Sequence, residues 1–381
     1  MAITTKKTGV WGLDQVYGKV NQNFIWEYPN GWWSWGMNAQ GQVGQDNTTK
    51  YSSPVQIGVD KNWVSLSTDQ EGGLAVDSQG YMWTVGDNQY GELGQNNTTD
   101  YSSPRQVPGD TWDASSTRSG SPNQHCVLKT DGTMWSWGYG GYGKLPTGAH
   151  RSSPIQIGTS SDWASTFTHT RGGGAIKTDG TLWLWGSNGE GNIGQNNTTT
   201  ASSPKQVGSE TTWKIGEACG NGSGILAVKT DGTMWKWGRG DDGTGANNRV
   251  SYSSPIQIPG TTWSGVGNGQ HHFLAIKTDG TLWGFAHNNN GQLAQNNVQP
   301  GDGGYSSPVQ IPGTTWKYAG SGMGLYSAAI KTDNTLWVWG KNNQGQLGMN
   351  NIISYSSPVQ VPGSWTTTSL SYYQMYALRG G

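Results

Sequence analysis

This chain of 381 residues is poor in several things on which folded proteins usually rely. It has only 2 cysteines, Cys126 and Cys219, standing at different phases of the chain's internal repeat, which argues against a disulfide framework and for free thiols. Charged residues make up 12% of the chain and the net charge is −1, with Lys and Arg scattered. No basic stripe appears, so the electrostatic footprint of a nucleic-acid binder is missing. No run of about 18 apolar residues could form a membrane-crossing helix. The opening Met1-Ala2-Ile3-Thr4-Thr5-Lys6-Lys7-Thr8-Gly9 has no apolar core of a signal peptide. The expectation is a soluble protein made in a cytoplasm without export. Leu, Ile and Val are too sparse for a conventional aliphatic core, and there are only 4 phenylalanines.

What the chain does have is 61 glycines, 22 tryptophans and a repeat. Each buried indole removes roughly 150–250 Å² from water, so tryptophan can supply the missing core. The tripeptide Ser-Ser-Pro returns seven times, with proline at Pro54, Pro104, Pro154, Pro204, Pro255, Pro308 and Pro358. The spacings are 50, 50, 50, 51, 53 and 50 residues. A fixed period of this size signals a solenoid, a propeller or an array.

One unit, Leu226 to Ile276, predicts four short strands. Ala227-Val228-Lys229 is followed by a two-residue turn at Asp231-Gly232, whose residue types suit the positive φ angles of a type I′ hairpin. Met234-Trp235-Lys236-Trp237-Gly238 alternates, so both tryptophans leave one face of the strand. After a glycine-rich loop, Pro255 belongs at a strand start or edge because it cannot donate to a ladder. Trp263-Ser264-Gly265-Val266 completes the unit as its fourth strand. Four antiparallel strands in about fifty residues make one propeller blade.

The fold class expected is therefore all-β: a seven-bladed β-propeller of four-stranded antiparallel blades, closed by pairing of the N- and C-terminal strands. The chain enters the repeat at Trp32-Trp33-Ser34-Trp35-Gly36 and stops at Tyr376-Ala377-Leu378-Arg379-Gly380-Gly381. The C-terminal strand is expected beside the Trp33–Trp35 strand. Ile25-Trp26-Glu27-Tyr28-Pro29-Asn30-Gly31 competes for that slot, but Pro29 would damage a central ladder position. Residues 1–31 form an N-terminal arm, and residues 32–381 form the propeller.

The Trp-x-Trp-Gly, Gly-Gln-Leu-Gly, Ser-Ser-Pro-x-Gln and Ala-Ile-Lys-Thr-Asp-Gly elements resemble the RCC1 (regulator of chromosome condensation) repeat superfamily over about residues 32–381. The resemblance implies a seven-bladed β-propeller and leaves the function open, because one fold hosts many. Two features of that family's exchange factor are weak here. No repeat is lengthened enough for an inserted wedge, and the Gly-x-x-His-Thr element survives only in His272. The arm tells a different story. Thr8-Gly9-Val10-Trp11-Gly12-Leu13-Asp14-Gln15-Val16-Tyr17, followed by Trp26, resembles a Gly-Val-Trp-x-Leu motif of tailed-phage virion proteins, tail fibres and appendages above all. The resemblance implies an attachment segment in Trp11, Leu13, Tyr17 and Trp26; a plain arm capping one blade is the competing reading.

No nucleophile elbow or P-loop is present, and no Cys/His/carboxylate cluster has metal-ligand spacing, so no enzyme activity, cofactor or metal is expected. The turn carboxylates Asp131, Asp179, Asp231 and Asp279 read as turn chemistry. Contrast between copies carries more information. Uniform strands with variable loops are how a rigid frame presents a binding face. The candidate binding-loop residues are Arg118, His125, Tyr139, Tyr142, His150, Arg151, His169, Arg171, Arg239, Asp241, His271, His272, Tyr326, Tyr372 and Tyr373. Exposed tyrosine, histidine and arginine suit glycan or protein contacts. The leading expectation is a virion structural protein displaying its propeller for host-surface contact and bound to other virion proteins through the arm. An intracellular, cytoplasmic interaction module or GTPase regulator is the alternative. An enzyme would need acid–base residues converging in the central channel.

Overall fold

The computed structural model describes residues 30–58, 61–116, 123–218, 224–241, 243–299 and 304–380. Seven sheets stand around a ring. In the fourth blade the strands Trp213–Ala218, Gly224–Lys229, Met234–Gly238 and Tyr252–Ile258 pair antiparallel in chain order. Trp235 and Trp237 do leave one face, and both meet Trp213 of their own blade, with ring centroids 6.4 and 6.0 Å apart. Met234 leaves the other face and packs with Leu226, Val228 and Trp263 of the next blade. Both faces of each sheet are therefore buried between neighbours, and the core is a set of inter-blade layers rather than one centre.

Two sequence expectations are corrected. The strand Trp263–Asn268 does not join the unit before it; it pairs with His272–Lys277 and opens the fifth blade. First strands of successive blades pack side by side and form the inner ring, while the Ser-Ser-Pro strands form the rim. The connection Pro259-Gly260-Thr261-Thr262 thus crosses from the rim of one blade to the inner ring of the next. The hairpin is also not a two-residue type I′ turn. Among its residues only Gly232 has positive φ (+79°), and the Gly232 amide donates to the Lys229 carbonyl at 3.0 Å. That pattern is a type I turn followed by a left-handed glycine, the three-residue hairpin.

The ring closes with two strands from each chain end. Gly31–Gly36 pairs with Tyr51–Ile57 on one side and with Gln374–Arg379 on the other, Trp33 opposite Ala377. Trp365–Leu370 completes the seventh blade. The C-terminal strand fills the contested slot as expected. Residues 1–29 of the arm, with Trp11, Leu13, Tyr17 and Trp26, lie outside the described residues.

The recurrent tripeptide has a defined task. The carbonyl of its first serine accepts a hydrogen bond from a left-handed Asn or Asp of the preceding blade: Asn96 to Ser152 at 2.6 Å, Asn196 to Ser253 at 2.8 Å, Asn350 to Ser52 at 2.7 Å. A second latch joins neighbours deeper in. The buried Trp237 indole donates to the Asn192 carbonyl at 2.8 Å, and Trp137, Trp185, Trp339 and Trp35 do likewise to Glu92, Lys144, Gln292 and Gln346.

The second blade departs from this pattern. Its inner strand is reduced to a bridge between Trp112 and Lys129 and a 3-10 turn, Ala114–Ser116, leaving three strands. The connection between its third and fourth strands folds into another 3-10 turn, Gly141–Gly143, with Tyr142 at φ 60°. Cys126 is a free, buried thiol there, and Cys219 lies outside the described residues. No helix among the described residues is long and apolar enough to cross a membrane.

Candidate functional site

Antiparallel order fixes two faces. Connections between first and second strands, and between third and fourth, emerge on one face. Hairpin tips and blade-to-blade connections emerge on the other. The variable segments therefore share a single loop face.

On that face, at the irregular second blade, four aromatic rings meet. Tyr139 stacks on His150 with centroids 4.9 Å apart and lies 6.0 Å from Tyr142. Tyr90, from the first blade, stands edge-on to both Tyr139 and His150 at 5.0 Å. The His150 Nδ1 accepts the Gly140 amide at 3.1 Å, which pins the loop. Tyr142 is 60% exposed, and His150 and Arg151 are exposed beside it.

Beneath the rings lies a buried ionisable cluster. Lys144 places its Nζ 5.4 Å from the Tyr139 ring, and its side chain is sealed from solvent. Burial pushes the Lys144 ammonium down to about 7, against the opposing pull of Asp69 and Glu92. Burial, reinforced by Asp69, pushes Glu92 up to about 9; its Oε2 accepts the Tyr90 amide at 2.7 Å. Burial and the Asp69 charge raise Asp87 to about 6. Asp69 and His125 face each other at 3.3 Å, both buried. His169, with its value lowered to about 3 by burial and then by Lys144, completes the group. Such groups could exchange protons, yet each of Asp69, Glu92, His125, Lys144 and His169 is at most 2% exposed. The ionisation of groups so deeply buried is linked to folding, and the rings stand directly above them.

The remaining candidates are dispersed around the ring. His271 stacks on His287 at 4.8 Å. Arg239 pairs with Asp241 at 2.5 Å, and Arg249 donates to the Asp241 carbonyl at 3.1 Å. Tyr372 and Tyr373 lie 6.2 Å apart, with Lys341 5.5 Å from the Tyr373 ring. Arg171 is exposed, while Arg118 lies outside the described residues. The expectation of exposed contact residues is corrected for His125, His169, His272 and Tyr326, all buried. Each begins a second strand or ends a first one, where the neighbouring blade covers it. His272 bonds the Ser327 hydroxyl at 2.7 Å, and the Tyr326 hydroxyl donates to the Gln374 carbonyl. Among the described residues no three His, Cys, Asp or Glu side chains converge to hold a metal.

Sequence reasoning missed Asp69, Tyr90, Glu92 and Lys144. A signal existed for three of them. Where other copies read Gln40-Gly41-Gln42-Val43 or Gln344-Gly345-Gln346-Leu347, this sector reads Tyr90-Gly91-Glu92-Leu93 and then Gly143-Lys144-Leu145. Consecutive copies place opposite charges at the glutamine position. Asp69 had no such marker, because its segment differs in every copy.

Comparison with known proteins agrees with this architecture. The Regulator of chromosome condensation (RCC1) repeat profile matches residues 79–118 and 333–369. Prp20p from Saccharomyces cerevisiae superposes with a TM-score of 0.79 at 15% identity, covering 93% of this chain and 92% of that one. Human WBSCR16 superposes with a TM-score of 0.78 at 18% identity, covering 92% of this chain and 99% of its own. Yeast Prp20 in its complex with Kap60 gives 0.77 at 15% identity, covering 100% of this chain and 96% of that one. Two segments of the chain thus match the RCC1 repeat, and its seven-bladed propeller fold is similar to that of these solved structures.

Proposed function

We propose that this chain is a non-enzymatic interaction module that grips a protein partner with the loop face of its second blade. The observation that carries this reading is a coincidence of place. The blade that breaks the repeat at both its inner strand and its outer loop also presents Tyr139, Tyr142 and His150 beside Arg151, joined by Tyr90 of the first blade. Aromatic and arginine side chains on a rigid support are the usual energetic anchors of protein contacts. Sealing of the acid–base cluster beneath supports a binding role over catalysis. Prp20p, of similar fold, is described for its binding to Gsp1p and histones, and for a complex with Kap60. Those associations favour an intracellular module, with a GTPase partner as one form of it. Display on a virion rests on the Trp11–Trp26 segment alone.

The test is a paired capture experiment with the intact chain and the double variant Tyr142→Ala/His150→Ala. A protein retained by the intact chain should bind the variant at least about tenfold more weakly, the effect of removing ~1.4 kcal/mol of anchor energy. Equal retention by both, or purification of the chain as a stoichiometric component of phage particles, would overturn the reading.

A further inference from the structure

The rim of the ring carries a second, repeated feature. Six of the seven sheets carry a ladder of indole, cation and indole drawn from their first three strand positions. In the fifth blade the Lys277 ammonium lies 4.9 Å from the Trp263 ring and 4.2 Å from Trp283. Lys331 lies 4.9 Å from Trp316 and 4.6 Å from Trp337, and Arg379 lies 5.9 Å from Trp365 and 5.3 Å from Trp33. Facing the ladder across the seam are a proline and the Gly-x-Asn loop of the neighbouring blade. The result is a shallow cleft, about 310 Å³ at Lys277, about 340 Å³ at Arg379 and about 320 Å³ at Lys229, edged by Ser307 and Pro308, Ser53 and Pro54, or Ser254 and Pro255.

The seams differ in one respect. Lys177 is neutralised by Asp162 at 3.1 Å, Lys229 by Glu210, and in the first blade Asp77 takes the ladder position and pairs with Lys61 at 3.5 Å. Among the described residues Lys129, Lys277, Lys331 and Arg379 make no side-chain ion pair or hydrogen bond; they contact their rings, and Lys277 and Lys331 also act electrostatically on the turn carboxylates Asp279 and Asp333. Lys277, Lys331 and Arg379 occupy consecutive seams. The indole N–H groups of Trp263, Trp316 and Trp365, like those of Trp112, Trp163 and Trp213 in the other ladders, find no protein acceptor. Buried donors ordinarily do.

We propose that this arc of three ladders binds an acidic polysaccharide, one uronate-type residue per ladder. The half-buried indoles Trp283, Trp337 and Trp33 offer faces on which a pyranose ring stacks through its C–H edge. The unpaired cation meets the carboxylate, and the rim serines and asparagines meet hydroxyls. Repetition selects the ligand class. A single shallow cleft binds weakly, but a polymer with repeating units engages several equal clefts and gains by effective concentration. Nucleic acid is disfavoured by a net charge of −1 without a basic stripe. This rim site is independent of the loop-face contact on the second blade.

The probe is polygalacturonate in affinity electrophoresis at about physiological ionic strength, with dextran, dextran sulfate and single-stranded DNA alongside. The intact chain should be retarded by polygalacturonate and not by the other three. Lys277→Gln/Lys331→Gln/Arg379→Gln should weaken retardation at least about tenfold through loss of avidity. Lys177→Gln/Lys229→Gln, in the paired seams, should leave it within about twofold. If circular dichroism shows the triple variant unfolded, Lys331→Gln alone should still weaken binding about threefold. Absence of retardation of the intact chain, undiminished retardation of the folded Lys277/Lys331/Arg379 triple variant, or equal retardation by dextran sulfate or DNA overturns the proposal. Tyr142→Ala/His150→Ala should bind polygalacturonate normally, which separates this outcome from that of the loop face.

Discussion

The indole N–H of Trp35 donates to the backbone carbonyl of Gln346 at 2.8 Å, across 311 positions of sequence. The same bond, Trp237 to Asn192 or Trp339 to Gln292, joins other neighbouring blades, so the seam that closes the ring is built like the seams within it. Closure reuses this latch, and the seventh sheet also takes a short parallel strand, Ser321–Gly322, from the sixth blade. That equivalence follows from drawing two strands of the seventh blade from each chain end, which lets the last-made sheet present the same indole to the same carbonyl.

Trp237→Ala should destabilise the protein by about 3–5 kcal/mol, the cost of opening a large aromatic cavity, with the lost inter-blade bond included. Its side chain is fully buried in the layer with Trp213, Phe167 and Ile193. Chemical denaturation provides the check. An unchanged midpoint would mean that the indole bears no load at the seam.

Removing the last strand, Gln374–Arg379, should abolish cooperative unfolding, because Gly31–Gly36 and Trp365–Leu370 lose their only shared partner. Buried Trp32 and Tyr376, 5.4 Å apart, would part with it. Two unfolding transitions, or hydrogen exchange that becomes fast in the first and seventh blades, are the expected result. A single transition at the original midpoint would show that the ring closes without this strand.

Glu92 gives a pH dependence of known sign. Its folded value is raised to about 9 from 4.5, so the folded state holds an extra proton across that window. Its contribution is therefore full below pH 4.5 and is lost as pH rises towards about 9. Glu92→Gln cannot titrate, and its stability relative to the parent should increase with pH by up to ~1.4 kcal/mol per unit. Denaturation midpoints of both proteins at about pH 5, 7 and 8.5 measure the gap. His169 and His272, both lowered to about 3 by burial, titrate in the opposite sense but are common to the two proteins. A gap independent of pH would show that Glu92 is ionised in the fold.

Much of the architecture was legible because a propeller is local arithmetic. Seven copies of Ser-Ser-Pro fixed the number of blades, and the phase at Trp32–Gly36 and Tyr376–Gly381 identified the closing pair. Periodicity marks strands but not which sheet a strand enters. Trp263–Asn268 was placed in the wrong blade for that reason, since Pro259–Thr262 reads equally well as a hairpin or as a step between blades. The Asp231-Gly232 pair likewise suits two hairpin types, and only the φ angles separate them.

The binding face was less legible. Tyr139, Tyr142 and His150 were singled out one at a time, and the fold brings them together with Tyr90 from a different blade. His125 and His272 look like loop residues in sequence and are core residues in space, because burial at a seam depends on the blade next door. The sequence by itself determined the period, the strand content, the tryptophan core and the closing strands, since each depends on short-range pattern repeated until it is unambiguous. Only the tertiary structure decided which side chains share a seam, which charges are sealed and which cations stand unpaired, because those properties belong to contacts between copies some fifty residues apart.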